Sequence, residues 1–135
     1  MTAAAAEGVP AKGTGPRWPR WLEDLYQSAD ALDAAGFASP FGPSGTMRFG
    51  NGPTLTGSAE IEASLREFFA AVPSMQHQVL RVWDDGAGVI FEAVVTYGRP
   101  DGRSVDIPAV SAYTRSADDA LQCRIYCDMA PVFAE

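Results

Sequence analysis

The chain has 135 residues, 47% of them hydrophobic and 20% charged, with 10 basic against 17 acidic side chains and a net charge of −7. That is the composition of one globular domain and excludes disorder over most of the length. The acidic excess argues against a nucleic-acid partner or an anionic membrane, since phosphate attraction needs clustered Lys and Arg.

Residues 1–16 are rich in Ala, Gly and Pro and read as a flexible leader, leaving a single domain over 17–135. The leader lacks the apolar core of a signal peptide, and no later run reaches transmembrane length. Lys12, the only lysine, lies in the leader, which argues against Schiff-base chemistry. A first helix starts near Pro19, with Trp18, Trp21, Leu22, Leu25 and Tyr26 at helical spacing. Asp30 is expected to cap a second, short helix through Asp33, with Leu32 inward and Gly36 as its stop. Ser39 to Gly45, with two prolines and two glycines, is a connection.

Residues 46–49 (TMRF) read as a short strand and NGPTLTG as a turn after it. A third helix runs from Ser58 to Pro73, burying Ile61, Leu65, Phe68, Phe69 and Val72. Four β-rich runs follow at 75–83, 89–97, 103–114 and 121–128, separated by turn signals short enough to require antiparallel neighbours. Helices first and strands last predict an α+β fold, a curved sheet wrapped around the helices. Cys123 and Cys127, four apart on one strand, would stand roughly 13 Å apart, too far to bridge. A reducing, cytoplasmic compartment is the simplest setting.

Side chains alternate faces along a strand, so parity sorts the candidate site residues. Arg124, Tyr126 and Asp128 share one face of the last strand, Cys123, Ile125 and Cys127 the other. Phe91, Ala93, Val95 and Tyr97 share a face, as do Met47, Phe49 and Asn51. Asp128, followed by the apolar MAPVF, is the leading acid–base candidate, because a desolvated carboxylate has its charged form disfavoured. Its structural alternative is an ion pair with Arg124 or a solvated place at the sheet rim. Asn51, in a GNGP turn, could orient a water or a carbonyl, or serve the turn alone. His77, the only histidine, shares parity with Val79, Arg81 and Trp83 and is either an acid–base group or a satisfied strand residue. Glu92 reads as a partner for an Arg on the sheet face, and Pro108 beside Asp106 as the mark of an edge or bulge. A single histidine and two distant cysteines argue against zinc. No phosphate loop or nucleophile elbow is present.

Four segments in this order, WLEDLYQSADALDAAGF, MRFGNGPTLTGSAEIEASLREFF, HQVLRVWDD and CRIYCDMAP, resemble the NTF2-like superfamily over residues 18–133. Its members include ketosteroid isomerase, limonene-epoxide hydrolase and the SnoaL-like polyketide cyclases. The resemblance implies a cone-shaped α+β fold, with a mostly antiparallel sheet around an apolar pocket walled by Trp21, Met47, Phe49, Phe91, Ala93 and Val95. Asn51 and Asp128 resemble the asparagine and aspartate that hold water in the epoxide hydrolases. Phe49 stands at the tyrosine position of that set, and Ala93 and Val95 where those enzymes carry Arg and Asp.

The implied activity is therefore isomerisation, cyclisation or dehydration of a hydrophobic carbonyl metabolite. One pocket carboxylate, Asp128, would act as general acid or base, with Asn51, His77 or Tyr126 as donor. The alternatives are a non-catalytic module that binds a hydrophobic metabolite, an epoxide-hydrolase-like enzyme with an altered site, or a protein-docking role. No metal or organic cofactor is expected, and a homodimer through the open sheet face is.

Overall fold

The structure, a computed structural model, describes residues 16–134; the leader expected over 1–16 lies outside the described residues except for Pro16. Helix α1 spans Arg20–Asp30, and its apolar stripe buries Leu22, Leu25, Tyr26 and Ala29. Leu32, in the left-handed region at φ 56°, ends it. The Asp33 amide then reaches back to the Ser28 carbonyl at 2.9 Å, in the manner of a Schellman cap. Asp33, rather than Asp30, caps α2 (Ala34–Ala38) by accepting the Gly36 amide at 3.0 Å. Gly36 is thus inside the second helix, and Asp30 is the last residue of the first.

The connection that follows contains a single 3-10 turn, Ser39–Phe41, whose Phe41 enters the core. Strand β1 (Thr46–Phe49) comes next, and the segment expected to be only a turn holds a further strand, β2 (Thr54–Thr56), antiparallel to β1. Helix α3 (Ser58–Ala71) starts at Gly57, whose φ of 89° and close approach to the Pro43 carbonyl suit a residue without a side chain.

Strands β3 (Met75–Asp84), β4 (Gly88–Gly98), β5 (Ser104–Arg115) and β6 (Leu121–Tyr126) form the meander, and β1 joins it parallel to β6. The sheet order is β2-β1-β6-β5-β4-β3. Pro108 is paired with Val94 of β4 but lies beyond the reach of β6, whose pairing ends at Val110↔Tyr126, so on that side it stands at an open edge. Strand β6 ends two residues earlier than expected, and a short turn of helix, α4 (Ala130–Phe133), closes the described chain. The Arg99 guanidinium donates to the carbonyls of Pro131, Val132 and Ala134 and fixes that end against the β4–β5 hairpin.

Two parities change the faces expected from spacing. A bulge between Val79 and Arg81 shifts the β3 register. His77 and Val79 therefore face the core, while Arg81 and Trp83 pair with the outward Glu92 and Ile90. Along β4 the strict alternation holds: Phe91, Ala93, Val95 and Tyr97 are all buried beneath the helices. Among the described residues, the helices cover one face of the sheet, and Trp83, Ile90, Val110 and Tyr126 are exposed on the other. Among the described residues, no helix is long and apolar enough to cross a membrane.

Candidate functional site

Between the helices and the concave sheet face lies a pocket walled by α1 (Tyr26, Ala29), α3 (Leu65, Phe68, Phe69) and β1 (Met47, Phe49), with the inward residues of β3 to β6 completing it. Its walls are almost wholly apolar or aromatic. The cavity volume is about 40 Å³, room for about three waters. Phe49, Phe68, His77, Ile125 and Cys127 are its only half-buried lining residues, the others being buried. A ring-sized ligand therefore has to widen the pocket by shifting side chains such as Phe49 and Phe68, whose rings stand 5.6 Å apart.

One acid–base pair faces this pocket. Asp30, at the C-terminal end of α1, grips His77 of β3 through both carboxylate oxygens. One accepts from the ring Nδ1 at 2.7 Å, the other from the His77 backbone N–H at 3.1 Å. A carboxylate can only accept, so Nδ1 carries a proton, and in the neutral ring the lone pair is on Nε2. No hydrogen-bond partner for Nε2 exists among the described residues, nor is any fully buried side-chain nitrogen or oxygen left unpaired. Nε2 consequently opens on free space, although the His77 side chain is only 12% exposed. The Tyr26 ring packs edge-on against the imidazole at 4.7 Å and helps fix its plane.

A second polar group lies deeper. The hydroxyls of Tyr26 and Tyr113 share a short hydrogen bond, with Ser111 beside Tyr26 and the Cys123 thiol beside Tyr113. Burial is the main cause that pushes both tyrosines well above the usual phenol range. Burial likewise raises the Cys123 thiol to about 12 and shifts Tyr97 and Cys127 upward. All of these groups are neutral near pH 7.

The sign of the consequence is fixed. Unfolded tyrosine and cysteine lose their protons near pH 9 to 10, the folded groups only higher, so their contribution is complete below that range and lost above it. Above about pH 10, Tyr26, Tyr97, Tyr113 and Cys123 should each lower stability progressively, because the unfolded groups release protons that the folded ones keep. Urea midpoints should be level from pH 7 to about pH 9 and fall steeply beyond; a level profile to pH 11 would contradict this burial.

The candidates from sequence divide sharply. His77, Met47, Phe49, Phe91 and Val95 line the pocket, and Ala93 is buried behind that lining. Trp21 does not line it: it is 37% exposed and packs edge-on against Tyr113. Asn51 is exposed in the turn between β1 and β2. Tyr126, 56% exposed, lies on the outward face.

Asp128 is exposed beyond the end of β6, and its carboxylate accepts the Ala130 amide at 3.0 Å. The dry cleft expected around it is absent because the inward parity at this end belongs to Ile125 and Cys127. Sequence reasoning missed Asp30, Tyr26, Tyr97 and Ser111. The available signal for Asp30 was a carboxylate four residues after Tyr26, one turn along the buried stripe of α1. Among the described residues, no cluster of three His, Cys, Asp or Glu could hold a metal.

The SnoaL-like domain family matches the chain over residues 22–122. No curated protein matches its sequence. Solved structures share the fold. A Catenulispora acidiphila protein with a ketosteroid isomerase-like fold, in complex with trimethylamine, aligns at TM-score 0.74 and 17% identity, over 86% of this chain and 91% of its own. A putative SnoaL-like polyketide cyclase from Jannaschia aligns at TM-score 0.66 and 21% identity, over 89% and 98%. Another, from Shewanella denitrificans, aligns at TM-score 0.67 and 13% identity, over 82% and 92%.

Proposed function

For a chain that belongs to the SnoaL-like domain family, we propose that this apolar pocket catalyses proton transfer on a hydrophobic carbonyl compound, with His77 as the acid–base group and Asp30 as its positioning residue. The observation that carries this reading is the two-point grip of Asp30 on His77, a residue that lines the aromatic-walled pocket and whose Nε2 has no hydrogen-bond partner among the described residues. A base held in this way takes a proton from carbon and returns it at the same or a second carbon, the step common to isomerisation and to cyclisation through an enolate. Phe49, Ala93 and Val95 stand where the epoxide hydrolases carry Tyr, Arg and Asp, so the reading does not run through those enzymes' epoxide opening.

The test is hydrogen–deuterium exchange at the α-carbons of acetone, cyclohexanone and 2-tetralone in D2O, followed by NMR. Wild-type protein should accelerate exchange of at least one ketone, and H77Q should return it to the buffer rate. Binding without exchange would replace the catalytic reading with a binding module.

We propose further that the outward sheet face pairs with a second copy. Trp83, Ile90, Val110 and Tyr126 are exposed there, with Trp83 registered against Ile90 and Val110 against Tyr126, while the helices occupy the opposite face. Sedimentation should give a dimer for the wild type and a monomer for V110R; a wild-type monomer at every concentration would refute the pairing. Cys123 and Cys127 are free thiols, which supports a reducing, cytoplasmic setting.

A further inference from the structure

A cavity of about 40 Å³ cannot seat a six-membered ring as it stands, so part of its wall must move when one enters. The half-buried lining residues, Phe49, Phe68, His77, Ile125 and Cys127, mark where the cavity meets solvent. Three of them stand together, because Phe49 is in register with Ile125 of β6 and Cys127 follows Ile125 by two. The Phe68 ring meets this group from the helix side. Its centroid is 5.6 Å from that of Phe49 on β1 and 6.0 Å from that of Tyr97 on β4. These strands are not neighbours in the sheet, since β6 and β5 lie between them. One side chain therefore bridges the concave face from β1 to β4.

Of the two phenylalanines at this rim, Phe68 is the one placed to move. The Phe49 backbone is held by its pairing with Ile125. The Gly50 amide donates to the Ile125 carbonyl at 2.8 Å, and the Gly52 amide to the Phe49 carbonyl at 3.0 Å. Phe68 belongs to the last turn of α3, at the margin of the stripe that buries Leu65 and Phe69. A helical aromatic leans back over the residues one turn earlier. Ser64 there is small, so a change of χ1 can take the ring from the rim toward solvent without a bulky neighbour in its way. A flat ring seated behind it would replace the aromatic contacts that Phe68 gives up with Phe49 and Tyr97. A compact acyclic molecule has no need of that exchange.

We propose that Phe68 is the gate of this pocket and sets the size of the ligand it admits: molecules as small as acetone pass with the ring in place, and flat cyclic ketones enter only when it turns outward. This rests on the pocket being the ligand site, as in the proposed function, but not on His77 acting as a base.

The experiment compares wild type, F68A, F68L, F68W and H77Q. Tryptophan fluorescence in stopped flow follows 2-tetralone, and an NMR titration follows acetone. In F68A both association and dissociation of 2-tetralone should quicken by about tenfold or more. F68L should fall between F68A and wild type, and F68W should slow association by a similar factor. Acetone affinity should stay near its wild-type value throughout, and H77Q should keep the wild-type rates. If F68A fails to fold, F68L against F68W carries the same comparison. Wild-type 2-tetralone rates in the folded variants, or an equal change for acetone and 2-tetralone, would overturn the gate. Size-dependent entry that follows residue 68 without any deuterium exchange would uphold the gate and sink the proton-transfer reading. His77-dependent exchange with entry rates indifferent to residue 68 would do the reverse. If no ketone binds either the wild type or F68A, both are overturned.

Discussion

Replacing Asp30 by Asn should lower ketone exchange by about 10²–10⁴-fold while leaving ketone affinity and the fold in place. The native carboxylate uses one oxygen for the His77 ring and the other for the His77 backbone amide. An asparagine has a single oxygen and cannot accept both. If that oxygen stays with the backbone, the amide N–H faces Nδ1, and the imidazole proton must move to Nε2. The pocket would then meet an N–H where catalysis needs a lone pair. Because Asp30 acts through His77, the D30N/H77Q double variant should be no slower than H77Q alone, a non-additivity that independent residues would not give. The stability cost should be about 1–3 kcal/mol, that of weakening one charge-assisted hydrogen bond at a half-buried site. D30N activity within a few fold of wild type would contradict the positioning role.

Phe91→Ala should destabilise the fold by about 3–5 kcal/mol. Phe91 is 1% exposed at the centre of the aromatic cluster, with ring centroids 5.2 Å from Trp18, 5.0 Å from Tyr26 and 6.4 Å from Tyr113. Truncation removes those contacts and leaves a void that the rigid β4 backbone, paired on both sides, cannot close. The void would also join the pocket, which Phe91 lines. Phe91→Leu, which keeps most of the volume, should cost clearly less. Urea unfolding with an unchanged slope measures both; a loss below about 1 kcal/mol for the alanine variant would mean that the cluster repacks.

How far the residues alone reach can be argued from these same elements. The inward run Phe91, Ala93, Val95, Tyr97 was legible because a long strand covered on one face by helices must alternate, and nothing interrupts β4. The β3 run was legible only as far as Val79, because a bulge leaves no mark in composition and reverses the faces of Arg81 and Trp83. Thr54–Thr56 was hidden by the glycines and proline around it, which signal a turn whether or not a short strand pairs beside them.

The Asp128 expectation failed on physical grounds already present in the parity. Asp128 shares its side with Tyr126, and β6 ends before reaching it, so the carboxylate caps the following turn. The Asp30–His77 pair spans 47 positions and depends on how α1 lies across β3, which no local pattern encodes. What the sequence did hold was an anomaly, a carboxylate at the buried stripe of an amphipathic helix, and that is where the proposed chemistry is placed.

His77 is the chain's only histidine, so nitrogen-15 NMR of labelled protein reports its ring without assignment ambiguity. The account predicts that the neutral ring carries its proton on Nδ1, with an Nε2 signal that moves when 2-tetralone is added. A proton found on Nε2, or a ring signal indifferent to every ketone, would contradict it.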